Sequence, residues 1–260
     1  MDSSLLSEFR FDWLLAGKAE RTVDDYLIAL HNFVSLHPSP QLSDARAWVV
    51  SSTSNSVRRK RGQAIRAFGK WCDGNSVMEF SWWRQVGLAV ESQSPQCTAT
   101  QADYSAALKS VKRPRDKAAI ELLWSCGLRR SELAALEVSD LDFDGGFLVV
   151  RRSKTGRPRI VPMSPAARKA IRPLARGRTE GSLLGLSPNA IRLMLQRHQL
   201  PSAHAWRRGW AVESLRSGIS EASVRTAAGW SSGAMVARYT SALAGELAID
   251  EFVSAWSRSR

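Results

Sequence analysis

The chain of 260 residues is longer than one compact core usually needs, so two domains are expected. It carries 37 Lys and Arg against 24 Asp and Glu, a formal charge of +13, which favours a polyanionic partner. No uncharged apolar run reaches the roughly 18 to 20 residues of a membrane-spanning helix, and the acidic opening MDSSLLSEFRFDW lacks the basic start of a secretory signal. A cytoplasmic protein without a membrane partner is the expectation. Cys72, Cys97 and Cys126 are odd in number and hold no C-x-x-C pair, so they read as buried free thiols, and neither a disulfide framework nor a zinc site is expected.

The periodicity predicts a largely helical chain. In ERTVDDYLIALHNFVSL, Thr22 followed by Asp25 gives a capping signal, and Tyr26, Leu27, Leu30, Phe33 and Val34 recur at helical spacing, which predicts a helix over 23–36. SVRRKRGQAIRAFGKWC predicts a second helix over 56–72. Val57, Ala64, Ile65, Phe68, Trp71 and Cys72 form its apolar stripe, while Arg59, Gln63, Arg66 and Lys70 share another face. Periodicity fades near 90–99, where Ser, Thr, Gln and Pro95 accumulate, so the boundary falls there: one domain over 1–92, a linker over 93–97 and a second domain over 98–260.

Beyond it, QADYSAALKSV, RDKAAIELLWSCG and RSELAAL read as helices. The period then changes. DFDGGFLVVRRSKTGRPRIVPM holds a Gly-Gly turn, a strand over 147–150, a turn containing Lys154 and a second short strand near 158–163, which predicts a small antiparallel sheet. Ser164-Pro165 and Ser187-Pro188 are helix starts, with further helices near 189–198, 205–217, 221–228 and 232–241, and stops at Gly218 and Gly229. The fold class is mainly α, with a small β-sheet in the second domain.

Taken singly, the polar candidates have plain explanations. GLRRSEL fits an inter-helix turn capped by Ser131, SKTGRPR a solvated hairpin tip, His204 and Arg207 a structural pair one helical turn apart, and Tyr239 a packing residue. Their order changes the weighing: Arg129 in G-L-R, Lys154 in a β turn ahead of RIVPM, His204 and Arg207 in H-A-W-R, Trp230 after Ala-Ala-Gly, and Tyr239 nine residues later. That series resembles the tyrosine recombinase family, also called the phage integrase family, over most of residues 98–240. RTVDDYLIALHNFV and SNSVRRKRGQAIRAFGKWC look like the helical core-binding domain that precedes the catalytic one in that family.

The resemblance implies a site-specific DNA recombinase that joins a DNA 3′ phosphate to Tyr239 and releases a 5′ hydroxyl. A phenol with an ordinary pKa of about 10 needs activation, and phosphodiester attack builds charge on the non-bridging oxygens. Arg129 and Arg207 would clamp those oxygens with planar guanidinium groups, His204 would move a proton, Lys154 would protonate the leaving 5′ oxygen, and Trp230, where many members have His, would donate an N–H. Glu132 matches a supporting acidic position, with a surface or cap role equally open. One phosphoester replaces another, so no nucleotide, metal or other cofactor is expected; no Gly-rich phosphate loop is present.

Arg58, Arg59, Lys60, Arg66 and Lys70 are the expected DNA contacts of the first domain, with a solvated face as the plain alternative. The sequence departs from the family pattern at Trp206, Arg208, Gly209 and Trp210, and at Ala-Ala-Gly-Trp. The tail after Tyr239 carries Leu243, Leu247, Phe252, Val253 and Trp256, which fold back in cis or, as the resemblance implies, dock on the next protomer of a DNA-bound tetramer on double-stranded core sites. A nucleoid-associated location follows. Two rivals remain: a catalytically silent DNA-binding protein descended from a recombinase, and a type IB topoisomerase.

Overall fold

The computed structural model describes residues 3–77, 81–90, 97–151, 158–233, 236–237, 248–249 and 252–253. The chain divides into two compact units, Met1–Pro95 and Gln96–Arg260. The predicted linker lies almost wholly outside the described residues.

The first unit is built from α1 (Ser3–Leu15), α2 (Glu20–Leu36), α3 (Leu42–Val50) and α4 (Asn55–Asn75), followed by a 3-10 turn over Ser81–Gln85. Apolar residues at helical spacing on α2 and α4 bury Val23, Leu27, Leu30, Phe33, Ile65, Phe68 and Trp71 against Leu6 and Phe9 of α1. Phe9 meets the Phe68 ring edge-on at 5.4 Å, and Trp71 sends its indole N–H to Asp12 at 2.8 Å, so a large aromatic is buried without stranding its donor. Such rings contribute about 2–3 kcal/mol each on burial.

Two expectations change here. The α2 helix begins at Glu20 with Ala19 as N-cap and no side-chain cap bond, so Thr22 lies in the first turn and caps nothing. Arg10 of α1 reaches Glu20 at 3.2 Å and Asp24 at 3.6 Å, which supports the earlier start. Val57 is 40% exposed and does not belong to the α4 core stripe. The helices α1 and α3 were not among the predicted elements.

In the second unit, α5 (Gln101–Ser110) and α6 (Pro114–Cys126) lead to the short α7 (Arg130–Ala134), a 3-10 turn over Val138–Asp140, and a three-stranded antiparallel sheet. Its strands are β1 (Leu141–Asp142), β2 (Phe147–Val150) and β3 (Arg159–Pro162), in that spatial order. The two-residue β1 was not among the predicted strands; β2 and β3 pair antiparallel as predicted, with Val150 opposite Arg159 and Leu148 opposite Val161. Leu148, Val150 and Val161 turn to the core.

Then come α8 (Pro165–Ala175), α9 (Pro188–Arg197), α10 (Ala203–Arg216) and α11 (Glu221–Ala228). The two Ser-Pro starts behave as predicted, with Ser164 accepting from the Ala167 N–H and Ser187 from the Ala190 N–H. Gly218 and Gly229 end their helices at φ +80° and +65°. The predicted helix over 232–241 lies largely outside the described residues, as does most of the tail.

The α6 helix is buried nearly all round, through Ala118, Ala119, Ile120, Leu122, Leu123 and Cys126, and packs against α8 and α10. It ends at Gly127, φ +57°, where a Cβ would lie 2.2 Å from the Trp210 ring of α10. Glycine is therefore required twice over, by backbone and by packing. The same helix end releases the chain into Arg129.

Cys72 and Cys126 are buried free thiols, whereas Cys97 is exposed, against expectation. Among the described residues no helix is long and apolar enough to cross a membrane.

Candidate active site

The site is organised by the carboxylate of Glu132, on α7. The backbone N–H of Arg129, the N-cap of α7, donates to Glu132 Oε2 at 2.8 Å, and Arg129 Nη1 donates to Oε1 at 2.6 Å. Arg159, at the start of β3, adds a bidentate pair, Nη1 to Oε1 at 2.9 Å and Nη2 to Oε2 at 2.8 Å. A third guanidinium, Arg207 of α10, comes within 3.9 Å of Oε2.

Glu132 is therefore neither a surface residue nor only a cap, since its side chain is 1% exposed. Burial by itself pushes its carboxyl up, but the hydrogen bonds from Arg159 and the Arg129 N–H, with the positive charge of Arg159, hold it down at about 2. The carboxylate stays ionised at any physiological pH. Ser131, the predicted N-cap, lies inside α7.

Arg207 is buried, and it is held by the ends of two other helices. Its Nη1 donates to the Gly127 carbonyl after α6, and its Nη2 to the Ala228 carbonyl that ends α11. The Trp230 ring lies 5.2 Å from the guanidinium carbon, a cation–π arrangement that stiffens it. Arg129, with 22% of its side chain exposed, is the more open of the pair.

His204 is exposed on α10, one turn before Arg207. The structure thus brings Arg129, Glu132, Arg207 and Trp230 together and sets His204 on the same helix as Arg207. Lys154 and Tyr239 lie outside the described residues.

Sequence reasoning missed Arg159. Its orientation shows only in the fold: within β3, Arg159 shares strand parity with the fully buried Val161, while Ile160 is 59% exposed. An arginine on the inward face of a strand implies a buried anion nearby.

The departures from the family pattern serve packing. Trp206 is fully buried and meets Trp124 edge-on at 5.9 Å, Trp210 covers Gly127, and Arg208 donates to the Cys97 carbonyl at 2.8 Å. Gly209 lies so close to the Ala99 carbonyl oxygen that a Cβ would come within 2.2 Å of it.

The basic face of α4 is less open than its composition implies. Arg58 donates to the Ser52 carbonyl and Arg59 to the Ala89 carbonyl at 3.0 Å, while Lys60 pairs with Asp25 at 3.0 Å. Arg61 stacks on Trp48 at 4.6 Å. Arg66 and Lys70 have no such partner among the described residues. Among those same residues no group of three or more His, Cys, Asp or Glu side chains could hold a metal.

Comparison with known proteins bears on the same segment. The sequence profile of the phage integrase family matches residues 99–246. The tyrosine recombinase XerA of Pyrococcus horikoshii is 29% identical over 175 residues, covering 63% of this chain and 57% of that protein. The chain spans about three fifths of the length of the first curated relatives it matches. A lambda integrase dimer bound to a COC′ core site shares the fold at a TM-score of 0.75 with 15% identity, covering 89% of this chain and 96% of that one. A lambda integrase tetramer bound to a Holliday junction superimposes at 0.72, again with 15% identity, covering 88% of this chain and 77% of that one. With the profile matched over more than half its length, the chain belongs to the phage integrase family.

Proposed function

We propose that the chain is a site-specific DNA recombinase that cuts and rejoins strands through a 3′-phosphotyrosyl intermediate on Tyr239. The observation that carries this reading is the charge balance at Glu132. Three guanidinium groups, from Arg129, Arg159 and Arg207, converge on one carboxylate, and a phosphodiester supplies the negative charge that this arrangement lacks. Family membership supplies the reaction class.

In the step proposed, the Tyr239 oxygen forms a bond to phosphorus as the bond from phosphorus to the 5′ oxygen breaks. The phenolic proton passes to His204 or to solvent, and Lys154 gives one to the leaving oxygen. Arg129, Arg207 and the Trp230 N–H stabilise the charge that develops on the non-bridging oxygens. Attack by a partner strand's 5′ hydroxyl reverses the step and completes the exchange. The first unit, through Arg66, Lys70 and their neighbours on α4, is proposed to follow the DNA backbone.

Assembly follows the fold's DNA-bound relatives: a tetramer on double-stranded core sites, with the tail after Tyr239 docked on the adjacent protomer. The task within the cell is proposed as integration and excision or resolution, in the cytoplasm. The test is a nicked suicide duplex built on the site recovered by selection from randomised duplexes. Wild type is expected to form a denaturant-resistant adduct, and Tyr239→Phe to bind the same duplex without forming one. An adduct with the Phe variant would reassign the nucleophile; binding with no adduct from either would make the chain a silent DNA-binding protein.

A further inference from the structure

We infer that Arg159 is a positioning residue of this site, one that occupies the Glu132 carboxylate so that the carboxylate does not draw Arg207 away from the place its two backbone carbonyls set for it. The inference rests on the proposed recombinase reading and adds to it a residue outside the expected catalytic set. It stands on how the acceptor positions of Glu132 are filled.

A carboxylate offers about four lone-pair directions. Here Oε1 receives Arg129 Nη1 and Arg159 Nη1, while Oε2 receives the Arg129 backbone N–H and Arg159 Nη2. All four are taken. Arg207 Nη1, at 3.9 Å from Oε2, lies beyond hydrogen-bond range and donates to the Gly127 carbonyl instead. Remove Arg159 and two directions open on a buried anion whose nearest further cation among the described residues is Arg207. Coulomb attraction in a poorly solvated site would then draw the guanidinium toward Glu132 and away from any phosphate.

Arg159 is itself tightly fixed. Its side chain is 7% exposed, and its Nε donates to the Ala227 carbonyl at 2.7 Å, in the last turn of α11. The next carbonyl along, that of Ala228, holds Arg207 Nη2. A Cβ on Gly229 would lie 2.9 Å from Arg159 Cδ, so the chain passes close over this arginine just before Trp230. One side chain thus joins β3 to the N-terminus of α7, which sets Arg129, and to the end of α11, which holds Arg207 and leads into Trp230. It does so five residues after Lys154 in the chain.

The experiment compares single-turnover adduct formation on two suicide duplexes. One carries the natural phosphodiester; the other has a neutral methylphosphonate at the scissile position, which develops less charge for the arginines to stabilise. With saturating protein, Arg159→Met is expected to slow cleavage of the phosphodiester about 100-fold, the scale of losing one preorganised donor. On the methylphosphonate the deficit is expected to shrink to under about 10-fold, because the clamp matters less there. Arg159→Lys keeps the charge but cannot span both oxygens, so it should fold and show the same pattern in weaker form.

Equal deficits on both duplexes, tracking a lowered melting temperature, would make Arg159 a structural residue and overturn the inference. So would wild-type rates for Arg159→Lys, or for Arg159→Met, on the phosphodiester. Should Arg159→Met not fold, the Lys variant alone decides by the same comparison. If wild type forms no adduct, the recombinase reading fails and this inference falls with it; if wild type reacts and the variants are unchanged, only the inference fails.

Discussion

Arginine is treated differently in the two units. On α4, Arg58, Arg59 and Arg61 give their N–H groups to loop carbonyls or stack on an indole, so each is settled by neutral partners nearby in its own unit. In the second unit, Arg129, Arg159 and Arg207 gather on one buried carboxylate and leave an excess of positive charge. A satisfied guanidinium on a surface helix is held in place without being aimed. Three of them around a single anion are what the proposed phosphate receptor consists of, because their mutual repulsion would be relieved further by another negative group. The lesson is that counting basic residues does not point to the candidate anion site; the ratio of cations to buried carboxylates does.

The largest test of that contrast removes the carboxylate. Glu132→Gln should lower the unfolding free energy by about 3–5 kcal/mol in urea titration, since it strands buried cations. The dependence on pH has a definite sign. The Glu132 carboxyl is held at about 2 in the folded protein and returns to the ordinary carboxylate range on unfolding, so its contribution is complete above that range and fades as pH falls toward 2. The urea midpoints of wild type and Glu132→Gln should therefore converge between pH 5 and pH 3, and a constant gap would show that the carboxylate is not the cause.

Next in size is Gly127→Ala, which meets both a left-handed backbone and the Trp210 ring that projects from the Arg207 helix. A loss of about 3 kcal/mol is expected, against about 1 kcal/mol for Gly218→Ala, where the backbone is also left-handed but a Cβ would meet nothing within 4 Å. Equal losses would mean that the close approach of Trp210 costs nothing.

Smaller still, Arg59→Gln should cost roughly 1 kcal/mol of stability through its bond to Ala89. Arg66→Gln and Lys70→Gln should change stability by less than about 0.5 kcal/mol, yet each should lower the salt slope of DNA binding by about 0.9 if it neutralises a phosphate. Were Arg59→Gln to change the slope as much as these two, the division of α4 into settled and available cations would be wrong.

Much of this was legible in the sequence, for identifiable reasons. Ser-Pro starts and glycine stops act locally, so Ser164, Ser187, Gly218 and Gly229 could be read directly. Arg129, Arg207 and Trp230 stood out through type and order. What was not legible depends on partners distant in the chain: Glu132 and Arg159 are 27 residues apart, and only the fold shows that the strand turns its arginine inward and its Ile160 out. The bonds that settle Arg58 and Arg59 end on loop carbonyls, which carry no side-chain signature. Thr22 misled because its spacing to Asp25 imitates a cap, while Arg10 on another helix fixes the true start at Glu20. The helices α1 and α3 bury few residues each, too few for a clear period, and β1 is two residues long.

The segment over 97–99 has a mechanical consequence. Cys97 accepts from Arg208, the Ala99 N–H donates to the Ala205 carbonyl at 3.0 Å, and Gly209 has given up its side chain to let Ala99 lie against α10. The chain over 97–99 is therefore fastened to the rod bearing His204 and Arg207 before it reaches the hairpin. The lead-in to the second unit is moored to the part of the molecule whose alignment the chemistry would depend on most.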